Sequence, residues 1–403
     1  MRKKQLYARV STASGQLLSD WHDIGFQGFS KQLNAGPGEC VLTVAVPFDY
    51  DSADLQVGND VKLILSDADT EAGTQSGEAG ALVIYQGYIS LIERDVDGSR
   101  ERVTVHLLGY YTLLSLDFLK NSAQTTLYSN SSTGLTTASG SQDAADIGLI
   151  MRAVLDRYQA ETTNPKITYR GTVDIPNTST TANYRFEQKT YREAMDDLRA
   201  LAPTDIYWYV NELGSVSFKT KSTTATHKFI FGKHFSVVHV EHSLEKVRNV
   251  LLLWDGKTSS YVYKHYESAA SIAQYGRRAS TVNDFGIDAS GAADAIGAKY
   301  LAENKDPAIK VTCTILDNNG EDGNGYDIES IHPGDTCSFV GFSSGLANVF
   351  NENMLITRVD YKLDAATIEV EIVQSGLLAT QSRQARAIND IGTGGLGVPE
   401  SYS

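Results

Sequence analysis

Residues 191–219, "YREAMDDLRALAPTDIYWYVNELGSVSFK", decide how this chain is read. Thr190 precedes them and Glu193 follows three positions later, the Thr-x-x-Glu pattern of a capping box. Each side chain takes up a backbone amide that the first helical turn leaves unpaired. Ala194, Leu198 and Leu201 recur at helical spacing and form a buried stripe, with Asp196, Asp197 and Arg199 facing out. Pro203 ends the helix, having no amide hydrogen to continue it. Residues 206–210 and 216–219 read as two strands joined around Asn211, Glu212, Leu213 and Gly214. The unit is therefore a helix packed on a hairpin. It holds no nucleophile with a partner base, no metal cluster and no phosphate loop, so it reads as scaffold.

Upstream, the first 112 residues read as β. Period-two alternation marks 40–46, 61–65, 82–91 and 103–107. Asp97-Gly98, between the last two runs, is a hairpin turn because both residue types tolerate positive φ. The Ser-, Thr- and Gly-rich stretch 121–142 reads as a long surface loop. A helix is expected over 143–158, since Ile147, Met151, Val154 and Tyr158 share one face. Residues 164–182 look extended and rich in turns. Downstream, 228–231, 237–240 and 250–254 read as strands and 290–304 as a helix closed by Pro307. Residues 377–403 read as a polar tail, mobile without a partner.

The 403 residues suffice for several domains and a large core. A net charge of −14 opposes a surface that grips phosphates, which needs clustered Lys and Arg. It suits a surface past which nucleic acid slides without sticking. No apolar run is long enough to span a bilayer, so no membrane span is expected. The basic start lacks an apolar segment behind it, so no signal peptide is expected and the chain folds in a cytoplasm. Cys40, Cys313 and Cys337 are far apart, carry no metal spacing and read as small core hydrophobes.

Four stretches imitate chemistry. Gly341-Phe342-Ser343-Ser344-Gly345 matches a nucleophile elbow, but the last histidine, His332, precedes the serine instead of following it. Gly392-Thr393-Gly394-Gly395-Leu396-Gly397 matches a dinucleotide fingerprint without the strand and helix that motif needs. The acidic loop 317–327 resembles a calcium loop, yet positions six and twelve are Asp322 and Ile328 instead of glycine and glutamate. It reads as an acidic hairpin tip, with an irregular Ca²⁺ site left open. His234 and His242 would share one face of a strand and His239 the other, which divides a zinc site. No catalytic, cofactor-binding or metal residue is assigned.

An internal echo remains. Gly58-Asn59-Asp60 opens a strand, followed by a variable loop and the long hairpin 83–108. Gly334-Asp335-Thr336 opens another, followed by a variable loop and the hairpin 353–373. The glycine allows the turn, and the aspartate bonds its own backbone. The predicted fold is mainly β with α+β insertions: two similar β-barrel domains flank small α/β middle domains. The boundaries are 1–115 for the first barrel and 116–182 for a loop-and-helix domain. The helix-plus-hairpin domain spans 183–226. The second barrel, with a helical insertion at 288–305, spans 227–376, and the flexible tail 377–403. Three copies of such a chain close a ring of six nearly equivalent barrels.

In order, "YRFEQKTYREAMDDLRALAPTDIYWYVNELGSVSFK", "YGRRASTVND", "IHPGDTCSFVG" and "MLITRVDYKL" resemble the middle and second half of phage tail hub proteins. "VGNDVKLIL", "YQGYISLIERD" and "RVTVHLLGYYTLLS" look like their first barrel. The family includes baseplate hubs of contractile tails, tail-tip hubs of non-contractile tails and the spike-bearing proteins of type VI secretion. The resemblance spans roughly 57–373. It implies a homotrimer with tail-tube-like barrels whose pseudo-sixfold ring joins a hexameric tail tube to a threefold tip. DNA, and sometimes a tape-measure protein, passes through its lumen without specific binding. Implied partners are the tail tube or distal tail protein and tip, spike or fibre proteins. The implied location is the virion tail tip or baseplate, assembled in the host cytoplasm. Many relatives carry a C-terminal lysozyme, peptidase or fibre; only about thirty residues follow the last barrel here, so no enzyme activity is expected.

Two other readings compete. A β chain with 21 tyrosines and Ser/Thr loops suits a carbohydrate-binding or adhesion protein. Carboxylate pairs for a glycosidase converge only in three dimensions, so the sequence leaves that reading open.

Overall fold

Alternation builds the first part of the chain as antiparallel strands. The computed structural model describes residues 4–45, 53–67, 81–97, 100–119, 127–131, 134–137, 145–182, 185–187, 189–203, 206–245, 247–255, 262–283, 290–317, 325–342 and 353–371. Strands β1 (Lys4–Ser11), β2 (Leu17–Trp21), β3 (Ile24–Gln32), β4 (Pro37–Ala45), β5 (Asp60–Asp67), β6 (Ala81–Asp97) and β7 (Arg100–Gly109) lie in the spatial order β3-β4-β7-β6-β5-β1-β2. Leu42 and Val44, Val61 and Leu63, and Val103, Val105 and Leu107 are buried, every second residue, as a pleated strand with one apolar face requires. In the β6–β7 hairpin Asp97 pairs with Arg100; Gly98 lies outside the described residues.

The middle of the chain is more ordered than its composition suggests. β8 (Leu127–Ser131) and β9 (Gly134–Thr137) form a hairpin inside the stretch expected as a loop, with Ser131 opposite Gly134. Thr-rich sequence reads as loop, but the branched threonine side chain also suits a pleated surface once a partner strand is present. β10 (Ala145–Asp146) leads into α1 (Ile147–Glu161). The helix starts at Ile147 instead of near 143 because Asp146 caps it, accepting from the amides of Gly148 at 2.8 Å and Leu149 at 3.3 Å. Ile147, Met151, Val154 and Tyr158 are all buried.

After β11 (Thr181–Ala182) and β12 (Arg185–Glu187) comes α2 (Tyr191–Leu201). Its capping box forms: the Glu193 amide donates to Thr190 Oγ1 at 3.2 Å, and the Thr190 amide donates to Glu193 Oε2 at 2.8 Å. Ala194 and Leu198 are buried, Leu201 only half-buried. Hairpin strands β13 (Ile206–Val210) and β14 (Val216–Thr220) follow. Asn211 Oδ1 shapes their turn by accepting from the amides of Leu213 and Ser215.

The last part returns to the sheet. Strands β15 (His227–Ile230) and β16 (Val238–Ser243) precede a separate three-stranded sheet of β17 (Val250–Asp255), β18 (Val262–Glu267) and, after the short helix α3 (Ala269–Tyr275), β19 (Ala279–Asn283). Helix α4 (Ser290–Asn304) packs on β17 and β18. β20 (Ala308–Leu316), β21 (Thr336–Val340), β22 (Met354–Tyr361) and β23 (Ala365–Glu371) then complete a second run, β16-β20-β23-β22-β21-β15. The tail 377–403, the Gly392 motif, Ser343 to Gly345 and residues 318–324 of the acidic loop fall outside the described residues.

The two runs share one strand order and several hydrogen bonds. β3, β4, β7, β6 and β5 correspond to β16, β20, β23, β22 and β21. The Gly58 amide donates to the Ile89 carbonyl, and the Ile89 amide returns to Asn59, both at 2.8 Å. Gly334 and Ile356 repeat the first bond at 2.8 Å, and Ile356 and Asp335 the second at 2.9 Å. One residue later each strand bulges, and the bulge hydroxyl donates across the ladder: Ser90 to His106 at 3.0 Å, Thr357 to Glu369 at 3.2 Å.

Two closed barrels are predicted from sequence; among the described strands neither run closes on itself. β22 pairs instead with β3, Arg358 opposite Gln32 through Tyr361 opposite Phe29, and thirteen strands join into one mainly antiparallel sheet.

The paired glycines give a comparison. Gly58 and Gly334 sit at φ +96° and +94°. A Cβ on Gly58 meets nothing within 4 Å, whereas one on Gly334 comes 2.3 Å from Cε2 of buried Tyr207. Gly58→Ala is expected to cost about 1–2 kcal/mol for the left-handed backbone alone. Gly334→Ala adds an overpacking cost of about 1–3 kcal/mol. Urea unfolding of both variants checks this; equal losses would contradict it.

Candidate functional site

The helix-hairpin unit meets the sheet through the turn after β13. Glu212 in that turn is 8% exposed and forms an ion pair with Lys31 of β3, which is 3% exposed. His332 Nδ1 stands 3.2 Å from the same carboxylate oxygen. The Lys31 ammonium also lies 5.7 Å from the Phe29 ring centre and 5.9 Å from that of Tyr361. Lys31 belongs to the first run, His332 to the turn before β21 in the second, and Glu212 to the hairpin. One carboxylate thus ties three parts of the chain. Burial alone would raise the Glu212 carboxyl; Lys31 and then His332 outweigh it and hold the group well below the usual carboxylate range.

Trp208 of β13 is a second tie. Its amide donates to Asn34 Oδ1 at 3.2 Å, and its carbonyl accepts from the Asn34 amide at 2.9 Å. Asn34 adopts φ +56°, a left-handed conformation that asparagine tolerates. The Trp208 indole donates to Asp196 Oδ1 at 2.9 Å, although the Asp196 side chain, expected on the outer face, stays 46% exposed. Burial pushes the Asp196 carboxyl up, and the indole bond opposes the shift. Trp208→Phe removes a hydrogen bond to a partly buried acid and is expected to cost about 2 kcal/mol in urea unfolding; an unchanged midpoint would show the bond to be energetically silent.

A third tie joins α4 to α2. Lys299 Nζ donates to the carbonyls of Arg199 at 3.1 Å and Ala200 at 2.9 Å, and to that of Ala202. These carbonyls lie at the C-terminal end of α2, that of Arg199 also accepting from the Ala202 amide at 3.2 Å, and a cation there complements the helix dipole.

Between the first run and the helical unit lies a cleft of about 630 Å³. Asp60, buried at its rim, accepts from Tyr110 Oη at 2.8 Å and is ion-paired with Lys166. Glu161 accepts from Tyr191 Oη at 2.8 Å and is ion-paired with Arg157. Each carboxylate is thus occupied by a cation and a phenol.

The residues weighed from sequence do not converge. His234 is buried, its Nδ1 accepting from the Ile230 amide at 3.2 Å, while His239 and His242 lie on β16 opposite Thr312 and Ile309. Among the described residues no group of three His, Cys, Asp or Glu side chains could hold a metal, and no helix is long and apolar enough to cross a membrane. Cys40, Cys313 and Cys337 are buried free thiols, and burial pushes each of them up. Lys31, Glu212, His332 and Lys299 were missed, because their partners lie far away in sequence. Asn34 carried a signal, standing in a turn two residues before Gly36.

The sequence matches no protein-family model and no curated protein. Solved structures share the fold. A 43 kDa tail protein of prophage MuSo2 from Shewanella oneidensis aligns over 91% of this chain and 98% of its own, at 12% identity and a TM-score of 0.57. A tail protein from Neisseria meningitidis MC58 aligns over 92% and 96%, at 9% identity and a TM-score of 0.56. Prophage tail protein gp18 from Listeria monocytogenes EGD-e aligns over 96% and 99%, at 11% identity and a TM-score of 0.53.

Proposed function

We propose that this chain, which has the fold of prophage tail proteins, is a structural hub of a phage tail tip or baseplate. Three copies form a pseudo-sixfold ring that joins a hexameric tail tube to a threefold tip and lines the channel for genome ejection. Residues 1–115 and 227–376 supply the alternating ring domains, and 116–182 with 183–226 brace them from outside. Neighbours in the particle are the tube or distal tail protein on one side and spike, tip or fibre proteins on the other. The tape measure and DNA pass through the lumen.

The observation that carries this reading is the repeat: two runs of strands with one spatial order, matching glycine turns and matching bulges in a single chain. A repeat of that kind lets a threefold object present six similar surfaces. The net charge of −14 suits a wall that nucleic acid must pass. Asp60 and Glu161, each held by a cation and a tyrosine, have structural partners that give the glycosidase reading no support at the cleft. The hub is thus read as non-enzymatic. Light scattering on the purified chain, alone and with its tube protein, is expected to give a trimer. Negative-stain images of the particle are expected to place a label on this chain at the tail tip. A monomer that ignores the tube protein would overturn the reading.

A further inference from the structure

β22 divides along its length: Met354 and Leu355 pair with β21, whereas Arg358 to Tyr361 pair with β3. β6 divides in the same way. Residues 81–88 pair with β5, but beyond Ile89 that edge has no partner among the described residues, and Leu91, Glu93, Arg94 and Asp95 are exposed. The equivalent of β3 is β16, which pairs with β20 on one edge only and is likewise open on the other among the described residues. Each chain therefore carries both halves of a joint that it completes once, internally, and leaves open once.

We propose that β16 of one copy pairs antiparallel with the outer half of β6 in the next copy, repeating the β3–β22 joint. This inference rests on the ring proposed above and names its contact. The register follows from the ladders. Ile356 and Ile89 hold the same turn, so Val359 corresponds to Ile92 and Asp360 to Glu93. Phe29 lies opposite Cys40 and Val240 opposite Val311, and Cys40 and Val311 face the equivalent residues Leu107 and Val370. Val240 thus corresponds to Phe29, Glu241 to Ser30 and His242 to Lys31. In the new joint Ile92 faces His242, Glu93 faces Glu241 and Arg94 faces Val240. Ile92, Val238 and Val240 are already partly buried against the sheet core, and the joint covers them.

The joint is heterologous, one edge against a different edge, so it propagates until rotation closes it into a ring. It also satisfies two rows of backbone amides and carbonyls that an open sheet leaves to aggregation. Glu93 and Glu241 stand side by side on the outer face, with Lys310 opposite Glu241 on β20. That like-charge pair marks the register and gives a handle on it.

The test uses the full chain with two cysteine pairs on exposed positions. Glu93→Cys with Glu241→Cys places the thiols directly opposite, within disulfide reach. Glu93→Cys with His239→Cys shifts one partner by two residues on the same face. The expected result is disulfide-linked trimer from the first pair and none from the second. Separately, Glu93→Lys, whose own ladder partner on β7 is the neutral Thr104, should let trimers survive about two- to fivefold greater dilution, by replacing a repulsive cross-strand pair with an attractive one. Trimers that crosslink through neither pair, or through the shifted pair alone, overturn this joint and leave the ring reading standing. A chain that is monomeric at every concentration overturns both.

Discussion

Lys31→Met is expected to cost about 3–5 kcal/mol of unfolding free energy, since it leaves the buried Glu212 carboxylate with only His332, which is 40% exposed, beside it. The loss comes from stranding a charge more than from losing an attraction. Lys31→Met/Glu212→Met should therefore recover most of the stability, because apolar residues of similar volume replace a buried ion pair at little or no net cost. The acid limb of stability supplies a second readout. Glu212 is held below its ordinary value of 4.5 in the folded state, so its contribution is complete above that pH. It is lost as the pH falls from there through the lower folded value. Wild type should weaken more steeply than the double methionine variant on acidification below about 4.5. Parallel slopes would show that Glu212 keeps its proton equilibrium unchanged on folding.

The same residue shows where sequence reading stops. Glu212 stands in an Asn-Glu-Leu-Gly turn, and a charge in a turn is ordinarily solvated. Nothing local says that Lys31, a strand residue far upstream, will bury beside it. The capping box at Thr190 and Glu193 was legible because both partners lie within one turn of helix. The limits of α4 were legible for a similar reason, with Pro307 just beyond its end. The glycine turns at Gly58 and Gly334 could be matched because backbone geometry restricts which residues fit there. Pairing between strands is a different matter. Alternation gave the faces of β4, β5 and β7, but it does not say that β3, paired with β4 on one edge, will pair with β22 on the other. At that point the expected pair of similar barrels becomes, among the described strands, two runs joined in one sheet. Asp196 shows a third limit. Helical spacing put it on the outer face, and a tryptophan from the following hairpin reached over to it. The candidate joint between copies was legible only afterwards, once the strand order made the two runs comparable.

Leu198→Asp is the substitution expected to do most harm to the helix-hairpin unit. Leu198 is fully buried on α2, in the core shared with α1, β13 and β14. Truncation alone, as in Leu198→Ala, costs about 2–5 kcal/mol. An aspartate there adds an unpaired carboxylate in an apolar site, worth several kcal/mol more. That sum approaches the roughly 5–15 kcal/mol of a whole domain, so the unit should be unfolded at neutral pH. Leu198→Asn separates the two costs, having nearly the aspartate's shape without its charge. Burial without a partner raises the folded-state value of such an aspartate above its unfolded value near 3.9. The penalty is then largest above the raised value and shrinks as the pH falls toward about 4, where the two variants should converge. Trp208 sits in this unit and Trp21 in the sheet, both fully buried, so in a background where the third tryptophan, Trp254, is replaced by Phe, tryptophan emission follows the change. A red shift confined to the contribution of Trp208 would mean that the sheet survives without its brace. A shift of both would mean that Glu212, Asn34 and Lys299 couple the parts into one folding unit. Melting curves identical to wild type would show that this face of α2 is not packed as described.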